Sequence, residues 1–193
     1  MLLKSLWRML LRVGRRVVIE GVRQESRDDG ERVIVVSARL RKRRSKRGFC
    51  GRCGRLAPGH DAGVGRRRWR SLDQGTTRTY IEAEAPRVMC KVHGATVAEV
   101  PWARHGVGFT RDFEDQVAWL AVHSSKKAIT ELMRIAWRTV GAIVERISDD
   151  ARARRDPLDG LTRIGIDEIS YRRGHRYLGS PVVSVGSDRE RMK

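Results

Sequence analysis

Apolar positions along the chain change period several times, and each change predicts a new element. Leu3, Leu6, Trp7, Leu10 and Leu11 recur at helical spacing and predict a short N-terminal packing helix. The runs R-V-V-I-E-G-V and E-R-V-I-V-V-S-A-R-L are rich in β-branched residues, and Asp29-Gly30 between them is a hairpin-turn signal, so two strands of a small sheet lead into a basic stretch. Beyond the linker V-P-W-A-R-H-G-V-G the period returns to helical. Thr110 is placed to cap a helix with Asp112 and Glu114 in its first turn and Phe113, Val117, Leu120 and Ala121 inward. Ser124 or Ser125 opens a second helix with Ile129, Leu132 and Met133 inward. After a short turn at 134–136, Val140, Ile143, Val144 and Ile147 form the stripe of a third.

Two short helices joined by a tight turn after a supporting helix match a helix-turn-helix unit, although a three-helix bundle with no DNA role carries the same stripes. The third helix presents Trp137, Arg138, Thr139, Ala142 and Arg146 away from the core, with Trp137 better suited to the core itself. Arg138 and Thr139 stand where such helices carry base-reading residues, and Lys126, Lys127 and Arg134 suit phosphate contacts. Past Ile147 the chain turns polar, and Pro157 with Gly160 ends the helix and forms a linker.

Charge sharpens the DNA reading. The 193 residues carry a formal net charge of +18, and from Arg39 to Arg70 there are thirteen Lys or Arg and one Asp, so two-thirds of the excess sits in one-sixth of the chain. Such concentration points to a polyanion, most economically the phosphate backbone of DNA or RNA; with double-stranded DNA as the expected partner, Arg41, Lys42, Arg43 and Arg44 are the contacts. The bland reading of R-K-R-R-S-K-R is a solvated loop or a localisation signal. Lys4 and Arg8 interrupt any signal-peptide core, and no stretch reaches the roughly eighteen unbroken apolar residues of a membrane helix. Three cysteines make no disulfide framework and favour a reducing cytoplasm.

Those cysteines suggest a metal instead. F-C-G-R-C-G and M-C-K-V-H-G each set two ligands two residues apart and follow them with a Gly able to adopt a left-handed conformation. Together Cys50, Cys53, Cys90 and His93 make a tetrahedral zinc site, with His60 and His105 as competing fourth ligands. Four protein ligands leave no open position, so the zinc is structural. The long spacer between the halves has room for a strand-rich insert, R-R-R-W-R-S-L-D to T-R-T-Y-I-E-A-E-A.

The last pattern has period two. In L-T-R-I-G-I-D-E-I-S-Y-R-R-G-H-R-Y-L, Ile164 and Ile166 alternate with Arg163, Gly165 and Asp167, and Gly174 offers a turn that returns His175 to Leu178 antiparallel. Asp167 then stands at the end of a first central strand, a place suited to a Mg²⁺ ligand but common in folds without chemistry.

The runs G-I-D-E-I-S-Y-R-R-G-H-R-Y-L, A-W-R-T-V-G-A-I-V-E-R-I and V-P-W-A-R-H-G-V-G-F-T-R-D-F-E-D resemble bacterial insertion-sequence transposases of the ISL-three family, and the likeness runs from about Gly21 to Leu178. The resemblance implies a zinc module, usually with cysteines alone, and a ribonuclease-H-like core in which Asp167 is the first of three acidic ligands for Mg or Mn. After Leu178 the sequence stops resembling the expected strand, which implies a truncated or frame-shifted copy. The expected architecture is α+β and multi-module: a β-rich zinc-binding module over 1–106, a helix-turn-helix domain over 107–150, a linker over 151–160 and the start of the core over 161–193. The expected function is a transposase recognising element ends, with a non-catalytic DNA-binding regulator as the competing class. The oligomeric state, a homo-oligomer included, stays open.

Overall fold

The computed structural model describes the backbone of residues 2–41, 47–154, 165–172 and 176–182, with side chains described as far as Arg154. It divides into two units, residues 1–147 and 148–193.

The first unit is built on two four-stranded sheets. Helix α1 (Leu2–Leu10) precedes β1 (Val17–Ser26) and β2 (Arg32–Leu40), which pair antiparallel around the predicted turn. There Gly30 takes a φ of 78°, and the Asp29 carboxylate accepts the Glu31 amide at 3.0 Å. The insert between the two zinc half-sites supplies β5 (Arg66–Gln74) and β6 (Thr77–Glu84), an antiparallel hairpin. β6 pairs parallel with β2, so the sheet order is β1-β2-β6-β5. The insert therefore belongs to the N-terminal sheet, and the expected two-stranded sheet is four-stranded. A lone hairpin buries too little to be stable, and the second one completes an apolar face. Val17, Ile19, Val36, Ala38, Trp69, Ile81 and Ala83 form that face under Trp7, Leu11 and Val13, closed by Val100, Trp102 and Ala103. Trp69 and Trp102 meet edge-to-face with centroids 5.5 Å apart.

The predicted apolar face of α1 packs only in part. Trp7 and Leu11 are buried, whereas Leu3, Leu6 and Leu10 are exposed, because a helix this short touches the sheet along one turn.

The opposite face of the sheet is charged. Arg23, Arg66 and Arg68 converge on Glu82, Arg23 and Arg68 also reach Glu25, and Arg39 and Arg66 share Glu20. Period-two alternation of Arg with Trp in R-R-R-W-R thus sends Trp69 to the core and Arg66 and Arg68 into ion pairs. Several of the cations counted for DNA in the basic stretch are neutralised by carboxylates lying outside it.

The second sheet holds β3 (Arg47–Phe49), β4 (Leu56–Asp61), β7 (Arg87–Cys90) and β8 (Gly94–Val97) in that order, with Cys50, Ala57, Val88, Cys90 and Ala98 between them.

Three helices follow: α2 (Arg111–His123), α3 (Lys126–Met133) and α4 (Trp137–Arg154). Thr110 caps α2, its hydroxyl accepting the Phe113 amide, and Ser125 caps α3 by accepting from Ala128. Phe113, Val117, Ile129, Met133, Val140 and Ile143 form the core. Leu132, expected inward, is 64% exposed, and Trp137, better suited to the core on sequence, is 57% exposed. α3 spans barely two turns and buries only Ile129 and Met133, and Trp137 lies ahead of the stripe that starts at Val140. The third helix also runs through the polar residues to Arg154, past the expected linker start.

One carboxylate lies inside this bundle. Glu114 is fully buried; its oxygens accept from Arg104 Nη1 at 2.9 Å and from Arg146 Nη2 at 2.7 Å. Arg146, expected as an outward DNA contact, is engaged in this clamp.

In the second unit, β9 (Gly165–Arg172) pairs antiparallel with β10 (Arg176–Val182), the hairpin expected from the period-two pattern. β10 continues to Val182, four residues past Leu178, after which the sequence was expected to stop resembling the family's continuing strand. Asp167 is the third residue of β9 rather than its end. Residues 155–164, which include Pro157 and Gly160 of the expected linker, and 173–175, which include the expected turn at Gly174 and His175, lie outside the described residues, as does the whole tail after β10.

Removing Glu114 would take the carboxylate from the Arg146 guanidinium and leave Arg104 paired with Asp115, and breaking a buried charge pair costs about 3–5 kcal/mol. Glu114→Ala should lower the urea-unfolding free energy by about 3 kcal/mol and Arg146→Ala, at a more exposed partner, by less than half of that. Equal and small losses for both would show that Glu114 is not the anchor.

Candidate metal centre and nucleic-acid interface

Each half of the candidate metal site is the tip of a hairpin. Cys50 and Cys53 sit between β3 and β4, and Cys90 and His93 between β7 and β8. Local backbone geometry follows from the glycines: Gly54 and Gly94, one after each second ligand, take φ of 68° and 65°, which lets each turn fold back under its two donors. In the first half, the Gly54 amide donates to the Cys50 carbonyl at 2.8 Å. In the second, the amides of Val92 and His93 point at the Cys90 sulfur and hold its thiol down to about 6. The Cys53 thiol is stabilised as thiolate by the Arg55 amide, but lost solvation and the adjacent Cys50 and Cys90 sulfurs outweigh this and push it up.

The four donor atoms lie within 4.8 Å of one another. Cys53 Sγ is 3.8 Å from Cys90 Sγ, and His93 Nδ1 is 3.6 Å from Cys50 Sγ and 3.7 Å from Cys90 Sγ. A tetrahedral zinc with Zn–S of about 2.3 Å and Zn–N of about 2.0–2.1 Å requires S···S edges of roughly 3.8 Å and S···N edges of roughly 3.6 Å. The donor set fits that ion. His60 and His105, the competing fourth ligands, lie outside the cluster. His60 faces Asp61 at 3.6 Å, and His105 accepts from Arg52 Nε at 3.4 Å. The Cys50 and Cys90 sides of the cluster are buried and the Cys53 side is exposed.

The helical unit is fastened to the N-terminal sheet at Arg70. Its amide donates to the Gly108 carbonyl and its carbonyl accepts from Thr110, each at 2.8 Å, so β5 holds the residue that caps α2. The Arg70 guanidinium is buried, lies 5.2 Å from the Phe113 ring centroid, and donates to Asp73 and to the Arg134 carbonyl. Arg134, expected as a phosphate contact, closes the turn between α3 and α4 with a φ of 51°. Its guanidinium pairs with Asp73 and with Glu31, which also accepts from Arg78 at 2.8 Å. The turn is thus locked onto the sheet by charges drawn from three elements, and the cation that looked free in the sequence is spent on the lock.

What remains exposed around that turn is compact. Arg138 projects from the first turn of α4 without an ion pair among the described residues, and Thr139 beside it is half-buried. Lys127 is exposed, whereas Lys126 Nζ sits 4.6 Å over the Trp137 ring. Arg41 is exposed, and Lys42, Arg43 and Arg44 lie outside the described residues. Glu31 and Asp73 were not singled out in the sequence, and Glu114 was expected as an acidic residue of the first helical turn rather than as a buried anchor. The one available signal was Glu114 adjoining the apolar stripe of α2, with arginines at 104 and 146 to meet it.

A ribbon whose two tips bring four metal-ligating side chains together, joined to a capped three-helix unit with an exposed arginine at the start of its third helix, has the organisation of a zinc-ribbon, helix-turn-helix protein of the nucleic-acid-binding class. Residues 46–93 match the family model described as the zinc-finger of transposase IS204/IS1001/IS1096/IS1165, and residues 98–148 match the helix-turn-helix domain of transposase family ISL3. The chain belongs to the ISL3 transposase family. Two relatives, each described as "Transposase for insertion sequence element IS1557", from Mycobacterium tuberculosis strains CDC 1551 / Oshkosh and ATCC 25618 / H37Rv, are 58% identical to it over 173 residues. The match covers 90% of this chain and 39% of each relative. No solved structure matches. Among the described residues no helix is long and apolar enough to cross a membrane.

Purified protein should carry close to one zinc per chain by elemental analysis, since the bound ion contributes on the order of 10 kcal/mol of folding free energy in zinc-finger peptides. Cys50→Ser or Cys90→Ser should abolish it and open residues 47–97 to protease. Full zinc content in His93→Ala, with no loss of affinity, would contradict the fourth ligand.

Proposed function

We propose that this chain is a DNA-recognition unit of an insertion-sequence transposase, in which α4 enters the major groove of an element end. The observation that carries this reading is the first turn of α4. Arg138 and Trp137 are exposed there, on a helix whose position is fixed by the Arg134 lock rather than by the flexible chain. A base-reading helix must be held to within a fraction of an ångström, and a salt-bridged turn with no glycine supplies that rigidity. Arg138 is the candidate for a bidentate contact to a guanine edge, Thr139 and the Trp137 ring for apolar contact with a thymine methyl, and Lys127 for a phosphate. Cys50, Cys53, Cys90 and His93 would hold zinc, which stiffens the ribbon and takes no part in chemistry.

The finer reading, a DDE-type enzyme acting by metal-dependent phosphoryl transfer, rests on the family likeness of G-I-D-E and assigns Asp167 to Mg or Mn. The β9–β10 hairpin suits the opening of a ribonuclease-H-like sheet. Across its ladder Asp167 faces Ser180 and Glu168 faces Gly179, so the hairpin sets no carboxylate opposite Asp167. Phosphoryl transfer of this type needs carboxylates converging on two ions about 3.5–4 Å apart. The chain spans 39% of the length of its relatives, and we assign it no catalytic step.

Duplex binding measured by fluorescence anisotropy against element-end and scrambled sequences tests recognition. Arg138→Ala should reduce discrimination by about 1–3 kcal/mol, while Lys127→Ala weakens all sequences alike. A uniform loss from both changes would remove α4 as the reading helix. Incubated with supercoiled plasmid and Mg²⁺ or Mn²⁺, the 193-residue chain should neither nick nor join DNA, and Asp167→Asn should leave binding intact. Metal-dependent nicking lost in Asp167→Asn would place a working site here.

A further inference from the structure

A second basic feature lies where the β1–β2 end of the N-terminal sheet meets the ribbon. The loop before β1, the end of β2, the end of β3 and the segment after β8 enclose a cleft of about 510 Å³ lined by Arg15, Arg16, Arg41, Phe49 and Glu99. Its geometry comes from the β1–β2 ladder. Val17 pairs with Leu40, and the Arg41 amide donates to the Arg16 carbonyl at 2.7 Å, so Arg16 and Arg41 stand directly opposite each other one step further along. Like charges placed opposite on a strand pair are destabilising. Elsewhere on this sheet the protein avoids that cost: Arg23, Arg39, Arg66 and Arg68 are interleaved with Glu20, Glu25 and Glu82. In the cleft it does not. Arg15 and Arg41 make no ion pair among the described residues, and the Arg16 guanidinium is held 5.5 Å over the Phe49 ring. Glu99 is the one carboxylate in the lining, leaving an excess of two positive charges. The chain then continues from Arg41 into Lys42, Arg43, Arg44 and Lys46.

We infer that this cleft is a phosphodiester-binding site, separate from α4, that clamps the DNA backbone. Two exposed guanidinium groups and a third fixed over an aromatic ring are suited to phosphate oxygens, which guanidinium meets with two parallel donors. Phe49 orders Arg16 before the ligand arrives, and bound phosphates relieve the Arg16–Arg41 repulsion. The site carries no base-edge donors in a fixed array, so it adds affinity and register without sequence preference. The inference rests on the DNA-binding reading above.

The test compares three proteins of known zinc content in duplex binding across a salt series: the wild type, the variant Arg15→Ala/Arg16→Ala/Arg41→Ala, and the charge-matched control Arg27→Ala/Arg32→Ala/Arg152→Ala. Each lost phosphate contact lowers the slope of log affinity against log salt by about 0.9. The cleft variant should lose about 2–3 from that slope and bind at least tenfold more weakly near physiological salt, with its ratio of element-end to scrambled affinity unchanged. The control should lose less than 1. Should the triple variant lose zinc, Arg15→Ala alone is expected to lower the slope by about 1. Equal slopes for cleft and control variants would overturn the cleft and leave recognition by α4 standing. Absence of DNA binding in the wild type would overturn both. Retained duplex binding with lost binding to anionic phospholipid vesicles would assign the cleft to a membrane surface and also overturn the inference.

Discussion

A single buried arginine couples the two halves of the first unit. Arg70 is a strand residue by its backbone, exchanging hydrogen bonds with Gly108 and Thr110, and a helix-packing residue by its side chain, stacked near Phe113 and bonded to Asp73 and the Arg134 carbonyl. Burying a guanidinium calls for a close carboxylate and partners for its donors; Asp73 and the Arg134 carbonyl meet the two Nη groups of Arg70, while its Nε has no hydrogen-bond partner among the described residues. Those requirements fix where β5, the start of α2 and the α3–α4 turn stand relative to one another. Arg134 and Glu31 extend the same network to the β1–β2 turn. A helix-turn-helix held only by its three-helix core is free to shift on its support, and this one is tied down at its turn.

The long spacer between the metal-binding halves has a physical explanation in the same framework. Residues between Cys53 and Cys90 leave the ribbon along β4, form the β5–β6 hairpin in the N-terminal sheet, and return along β7. The ribbon and the sheet are therefore threaded through each other, and closing the cluster of Cys50, Cys53, Cys90 and His93 also closes the loop that carries Arg70. The cluster and the placement of the helices are linked through the course of the chain.

Much of this was legible in the sequence because it depends on local rules. The C-x-x-C-G and C-x-x-H-G half-sites, the Asp29-Gly30 turn, the Thr110 and Ser125 caps and the stripe from Val140 to Ile147 each declare themselves within a few residues. What escaped depends on partners far apart in the chain. No local pattern says that Arg134 meets Glu31 and Asp73, or that Arg146 meets Glu114, so both cations were taken for DNA contacts. Counting charge along the basic stretch likewise overstated what is free, since Glu20, Glu25 and Glu82 arrive from other strands. Trp137 went the opposite way: an aromatic residue beside an apolar stripe suggests burial, but it precedes the stripe by three residues and is ordered on the surface by Lys126. Asp167 was misplaced because a period-two pattern fixes which residues alternate and not where a strand begins.

The central claim is that the turn locked by Arg134 presents α4 to DNA. Amide hydrogen exchange of the whole chain, read by mass spectrometry with and without an element-end duplex, addresses it directly. First-turn amides of a helix lack intrahelical partners and exchange fast, so a ligand over them is readily seen. Binding should slow exchange over residues 126–127 and 137–138 while leaving the β5–β6 hairpin unchanged. Protection confined to the charged face of the sheet, with no change at either helix start, would contradict the account.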